Sequence, residues 1–347
     1  MGTRRRRVSV IYFISKLVKW DDLRMEIINN PSQVEIRKAA QALRDGHLVA
    51  FPTETVYGLG ADATNEKAVS RVYSVKGRPT DHPLIVHISS INQLNKWAVD
   101  IPEYAIKLAK DFWPGPMTLI LKRSEIANDF ITGGQENVGV RVPSHPVALA
   151  LLSEFEKLGG LGVAAPSANR FGAVSPTTCY AVKEELGSYL LEQDLILNGG
   201  SSDVGVESTI LNCTSEHAII LRPGAITEEM IKKFIHVQTQ NFDSPKVRAS
   251  GAFTIHYSPK AEVVLNGSVF KGDGFLALSS VATPTGAFRL ASPSNVKDYA
   301  QELYEALRLG DRKGLKRIVV VTPDGGELAL AIRDRLNKSA GSINQNF

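Results

Sequence analysis

Short apolar runs and helical periodicities alternate along most of the chain. The runs at residues 48–51, 84–88, 117–122, 138–142 and 162–165 read as strands; several stop at a proline or a small polar loop. Between them the 3.6-residue spacing predicts helices. Ser32 and Glu35 form a capping box ahead of the stripe Val34, Ala39, Ala40 and Leu43, which ends at Gly46. Asn65 caps a helix carrying Val69, Val72 and Tyr73 and delivering Lys76 at its end. Further helical patterns cover 91–97 and 102–112, and Thr227 opens one that reaches 235 behind a strand at 218–221. From Glu262 onward strands (263–265, 275–278, 318–321) alternate with helices (296–309, 328–336), which predicts a smaller parallel α/β unit. Residues 237–261 lack periodicity. They carry Pro245, Gly251, His256, Tyr257 and Pro259, and their length predicts a lid over a site rather than a passive tether.

Composition narrows the class. A chain of 347 residues holds two domains and substantial cores. Its charge of +4 permits an anionic ligand without requiring nucleic acid, since no dense basic tract follows Arg4–Arg7. Cys179 and Cys213 stand far apart, which argues for a reducing compartment and against a disulfide framework or structural zinc. The apolar stretch at 8–14 is too short for a bilayer, which takes about 20 residues, and no small-x-small cleavage site follows it. Residues 1–24 are read as an N-terminal extension. A transit peptide and a translated upstream segment both fit; the second, with Met25 as the start, is favoured, and a cytoplasmic location is expected.

The chemistry concentrates between Phe51 and His87. Strand 48–51 ends in Pro52-Thr53-Glu54-Thr55-Val56-Tyr57-Gly58, a small polar loop. Lys76-Gly77-Arg78 then precedes Pro79, which biases Arg78 toward an extended conformation, so that the two cations converge on one anion. A guanidinium forks two phosphate oxygens while an ammonium supplies a point charge. Arg141 sits inside an apolar strand and needs an anionic partner: a structural salt bridge, for instance to Glu136, or a ligand carboxylate. Pro166-Ser167-Ala168-Asn169 follows a strand of small residues and offers a hydroxyl and an amide; a plain turn accounts for it equally. Ser175-Pro176-Thr177-Thr178 opens a helix whose exposed N–H groups suit an anion. Residues 198–210 are glycine-rich but match no Walker motif.

From about Pro52 to Gly224, and more weakly to the C-terminus, these motifs resemble the threonylcarbamoyl-AMP synthase family, the YrdC-like proteins in their long, two-domain form. The resemblance implies an α/β fold: a YrdC-like twisted mixed sheet with flanking helices, plus a Rossmann-like parallel C-terminal domain. It divides the chain into an extension (1–24), a catalytic domain (25–236), a linker and lid (237–261), a C-terminal domain (262–338) and a tail (339–347). It implies condensation of L-threonine, bicarbonate and ATP into threonylcarbamoyl-AMP plus pyrophosphate. The product would serve a downstream tRNA threonylcarbamoyl transferase acting at tRNA position 37, with any tRNA contact indirect. Lys76, Arg78, Ser167 and Asn169 would hold the carbamate and phosphates. Thr55, His87, Arg141, Ala165 and Ser208 would contact threonine. Arg78, His82, Asn137, Ser167, Ser175, Arg222 and Tyr257 would contact ATP. His82 replaces a commoner asparagine and Asn137 a commoner threonine. Magnesium is implied as a companion of ATP, with no protein metal ligands and no organic cofactor. The other reading is a YrdC-like module that binds RNA or nucleotide without synthesis.

Overall fold

The computed structural model describes residues 27–235, 237–238, 247–248, 257–326 and 328–341. The 1–24 extension and most of the expected linker lie outside them. The described residues form two sheets.

The larger sheet has eleven strands. They are β1 (Ile27–Asn29), β2 (Val49–Phe51), β3 (Gly58–Asp62), β4 (Ile85–His87), β5 (Met117–Lys122) and β6 (Asn137–Arg141). β7 (Val163–Ala164), β8 (Leu195–Asn198), β9 (Thr209–Asn212), β10 (Ala218–Arg222) and β11 (Val237–Gln238) complete it. Their spatial order is β1-β8-β2-β3-β7-β4-β6-β5-β9-β10-β11, with parallel and antiparallel pairs mixed. The smaller sheet is all parallel, in the order β12-β15-β13-β14, where β12 is Glu262–Leu265, β13 Gly274–Leu276, β14 Phe288–Ala291 and β15 Arg317–Val320. Helices Val296–Arg312 and Leu328–Ala340 accompany it. Among the described residues no helix is long and apolar enough to cross a membrane.

Local chemistry explains most boundaries. Helix Gln33–Arg44 opens with both hydrogen bonds of the Ser32–Glu35 capping box. Its inner face is Ile36, Ala39, Ala40 and Leu43, spaced i, i+3, i+4, i+7; Val34 falls off that stripe and is 79% exposed, contrary to expectation. Asn65 caps helix Glu66–Lys76 as predicted. β3 was not predicted, because its two glycines read as loop. A Cβ on Gly60 would stand 2.8 Å from both the Phe51 ring and Val163, so close strand packing selects glycine there. Strands β1, β8 and β14 and helix Pro146–Lys157 were likewise not anticipated. The expected tail from 339 is also corrected: the last helix runs to Ala340, and Ser339 is buried with its hydroxyl on the Tyr257 carbonyl.

The two units share a core. One cluster of buried apolar residues joins Tyr299, Leu303, Tyr304 and Leu336 of the second unit to Val56, Val174 and Val206 of the first. Burying each such valine stabilises the junction by about 1.5–3 kcal/mol. Gly205 marks how close the approach is. Its φ is +79°, and an added Cβ would lie 2.2 Å from the Ala300 carbonyl oxygen in helix Val296–Arg312. Gly134 shares the left-handed backbone, at φ +76°, but faces open space. Gly205→Ala should therefore destabilise by about 1–3 kcal/mol more than Gly134→Ala in thermal or denaturant unfolding. Equal effects would mean the seam is looser than described.

Candidate active site

The site lies where several chain segments meet at the centre of the large sheet. The loop after β2 is folded on itself: the Thr53 hydroxyl bonds the Val56 carbonyl at 2.6 Å and lies 2.8 Å from the Thr55 hydroxyl. Its far end is stitched to the 166–176 segment by Tyr57 N–H to Pro176 O and Ala168 N–H to Tyr57 O. This fold turns Thr55 toward a cleft open to solvent, lined by residues from several segments. The ends of the adjacent parallel strands β4 and β6 add His87 and Arg141. Ala165 and Ser167 line it after β7. Ser208 and Arg222 reach it from β9 and β10, Arg78 from beyond the 66–76 helix, and Tyr257 from the approach to β12. One cleft thus gathers Thr55, Arg78, His87, Arg141, Ala165, Ser167, Ser208, Arg222 and Tyr257.

Five expected residues are placed elsewhere. Lys76 is the last helical residue, and Gly77 takes the left-handed cap at φ 61°, so the pair with Arg78 is not in an extended segment. The Lys76 ammonium is buried and donates to the carbonyl oxygens of Ser167 and Asn169, each at 2.5 Å. Burial, then the neighbouring Arg78, pushes its pKa well down. Lys76 therefore shapes the loop that presents Ser167. Asn169 is buried and spends its amide N–H groups on the Arg170 and Ala173 carbonyls. Ser175 is fully buried and donates to the Glu207 carboxylate at 2.6 Å; the helix opens later, at Cys179, with Thr178 as its cap. His82 packs on Phe171. Asn137 lines a neighbouring depression with Gln135 and Arg248, which shares Ile85 with the cleft.

Two carboxylates at the cleft were not singled out by the sequence reading, although both stand inside its motifs. Glu54 pairs with Arg141 at 2.6 Å and accepts the Ser144 N–H at 3.0 Å. The Arg141 partner is therefore Glu54; Glu136 pairs with Arg123. Arg141 also donates Nε to the Gly115 carbonyl, which leaves Nη1 without a protein partner among the described residues. Glu207 accepts hydrogen bonds from Ser175, Tyr304 and Arg335. Its burial favours the neutral acid, but Arg335, Arg222 and the Ser175 hydroxyl outweigh that and hold its pKa at about 2. Glu207 stays ionised and neutralised, and Glu54 is paired with Arg141, so the cleft remains hospitable to anions beside Arg78, Arg141 and Arg222.

Two family models match the chain. One, described as telomere recombination and covering the Sua5, YciO and YrdC proteins, matches residues 41–224; the other, described as threonylcarbamoyl-AMP synthase, C-terminal domain, matches 226–341. A threonylcarbamoyl-AMP synthase of Pyrococcus abyssi is 40% identical over 340 residues, spanning 91% of this chain and 97% of the relative. The chain belongs to the threonylcarbamoyl-AMP synthase family. A Bacillus subtilis protein of the same name is 38% identical over 343 residues, spanning 92% and 96% of the two chains. The solved structure of P. abyssi Sua5 complexed with L-threonine matches with a TM-score of 0.82 and 38% identity, over 91% of this chain and 98% of that one.

In this family member His87 has a measurable signature. Burial, reinforced by the Arg141 charge, pushes its imidazole down from 6.5 to about 3. Between those values the unfolded chain binds more protons than the folded one, so stability is intact above 6.5 and falls as pH drops toward 3. Glu207 acts in the same sense at lower pH, between 4.5 and about 2. His87→Gln should therefore flatten the decline in melting temperature between about pH 6.5 and 5. An unchanged decline would show that His87 is not held neutral.

Proposed function

We propose that this protein condenses L-threonine, bicarbonate and ATP into threonylcarbamoyl-AMP and pyrophosphate, for a downstream tRNA threonylcarbamoyl transferase. Its membership of the synthase family supports the reading. The observation that carries it is three guanidiniums, those of Arg78, Arg141 and Arg222, lining one cleft with the Thr55 and Ser208 hydroxyls.

Threonine's amine and bicarbonate give a carbamate with loss of water. A carbamate oxygen then attacks the α-phosphorus of ATP; the bond from that phosphorus to the bridging oxygen breaks, and pyrophosphate leaves. This route needs no protein nucleophile. It requires reactants held in line and charge stabilised as it develops on phosphate. Arg141, anchored by Glu54 and Gly115, offers Nη1 to the threonine carboxylate. Thr55, whose hydroxyl is fixed by Thr53, and Ser208, whose hydroxyl is fixed by Thr118 and Arg222, are placed to orient the amino acid. Ala165 brings backbone close, and neutral His87 closes the apolar side without adding charge.

Arg78 and Arg222 take the phosphates, with Ser167 between the two substrates. Burial lowers the pKa of both arginines, Arg78 to about 10, yet both stay charged near neutrality. Tyr257 covers the nucleotide. Magnesium enters as part of the nucleotide substrate, held by phosphates and water. Lys76 and Asn169 act through the loop that carries Ser167, while Ser175 acts through Glu207. Asn137 and His82 belong to the approach to the nucleotide. The product is released in the compartment where tRNA modification proceeds, proposed as the cytoplasm.

Pyrophosphate release should require threonine and bicarbonate together. Arg141→Lys keeps the ion pair with Glu54 but loses the planar fork. It should raise the threonine KM by about tenfold or more while changing the ATP KM by less than about threefold. A larger effect on ATP would move Arg141 to the nucleotide. Release of pyrophosphate without threonine would overturn the reaction itself.

A further inference from the structure

The second unit reaches the cleft. Arg335, in helix Leu328–Ala340, is fully buried despite its charge. Its Nε donates to the Glu207 carboxylate at 2.7 Å, and its Nη2 to the Pro223 carbonyl at 3.0 Å and the Glu207 carbonyl at 3.4 Å. Nη1 pairs with Asp334. The same guanidinium lies over the Tyr257 ring, 5.4 Å from its centroid. Tyr257 in turn stacks on Tyr304, with centroids 5.8 Å apart and planes at 26°. Tyr304, from helix Val296–Arg312, donates its hydroxyl to the same Glu207 carboxylate at 2.8 Å.

Two details argue that this arrangement does more than join two units. Its endpoints, Glu207 and Tyr257, both line the cleft. Tyr257 also holds a left-handed backbone, φ 63°, which side-chain-bearing residues rarely adopt. Such a conformation persists where surroundings enforce it, and here the Ser339 hydroxyl pins the Tyr257 carbonyl at 2.8 Å while Arg335 and Tyr304 flank the ring.

We propose that Arg335 is a positioning residue for the nucleotide wall: it fixes Glu207 and Tyr257 from the second unit, so that the cleft is complete only when that unit is docked. Charge gives the same direction. Arg222 acts electrostatically on Glu207 as well. Without Arg335, Glu207 would draw more strongly on Arg222 and compete with a phosphate for it. The inference rests on the proposed reaction for its substrates, but its test is binding.

Calorimetric titration of the full chain with ATP and, separately, with L-threonine tests it. Arg335→Met should weaken ATP by about tenfold or more and threonine by less than about threefold. Tyr304→Phe, which deletes one oxygen, should weaken ATP in the same sense by a smaller factor. The double variant Arg335→Met with Tyr257→Ala should be no weaker than the worse single one, because residues acting as a unit are non-additive. Parental ATP affinity in folded Arg335→Met, an equal loss for threonine, or full additivity would each overturn the proposal. If Arg335→Met does not fold, Tyr304→Phe decides alone, and unchanged ATP affinity there overturns it. Failure of the proposed reaction is a separate outcome: the parent would bind ATP and release no pyrophosphate with threonine and bicarbonate.

Discussion

One buried carboxylate, Glu207, ties the two parts of the molecule together at the wall of the cleft. An ionised acid away from water is tolerated only with donors on its oxygens. Glu207 receives them from both sides: Ser175 from the segment ahead of helix Cys179–Leu186 in the unit that carries the cleft, and Tyr304 and Arg335 from helices on the second sheet. Removing either side would leave a buried charge short of partners. The next residue, Ser208, shares its hydroxyl with Thr118 and Arg222, so whatever fixes the Glu207 backbone also sets this part of the cleft.

The large sheet supplies the remaining precision. His87 and Arg141 pair in register at the ends of β4 and β6, so their separation is set by the strand ladder rather than by a flexible loop. Glu54 reaches across from the loop after β2 to hold Arg141. Lys76 does the equivalent for the 167–169 segment, placing its ammonium on two carbonyl oxygens. A recurring division follows: Glu54, Lys76 and Glu207 spend their polar atoms on neighbours, while Arg78, Arg141 and Arg222 line the cleft, where they are proposed to meet the anionic groups of the substrates.

Much of this was legible from residue order. The capping box at Ser32 and Glu35, the Asn65 and Thr227 caps, and the bounds of β5 follow from local rules that packing did not override. So did the clustering of Thr55, Arg78, Arg141, Ser208 and Arg222, through the family resemblance. What failed was long-range. β3 is glycine-rich because Phe51 and Val163 crowd it, which no local pattern states. Lys76 and Arg78 were read as one clamp from a spacing of two, but a helix end and a left-handed glycine intervene. Ser175 faces inward because Glu207, 32 positions later, needs a donor. Nothing in residue order marks the second unit's part in the cleft, since Tyr304 and Arg335 look like ordinary helix residues until the fold brings them 97 and 128 positions back to Glu207.

The joined cleft depends most on Glu207 being an ionised, fully engaged anion within the folded, ligand-free protein. Carbon-13 NMR of the glutamate side-chain carboxyls, with the Glu207 signal assigned by its loss in Glu207→Gln, measures this directly. The signal should keep the chemical shift of an ionised carboxylate through a titration down to the acid limit of folding, in line with a pKa of about 2. A Glu207 signal that titrates near the ordinary glutamate value of 4.5 would show that Arg335 and Tyr304 do not hold it and that the two units are not joined through its charge.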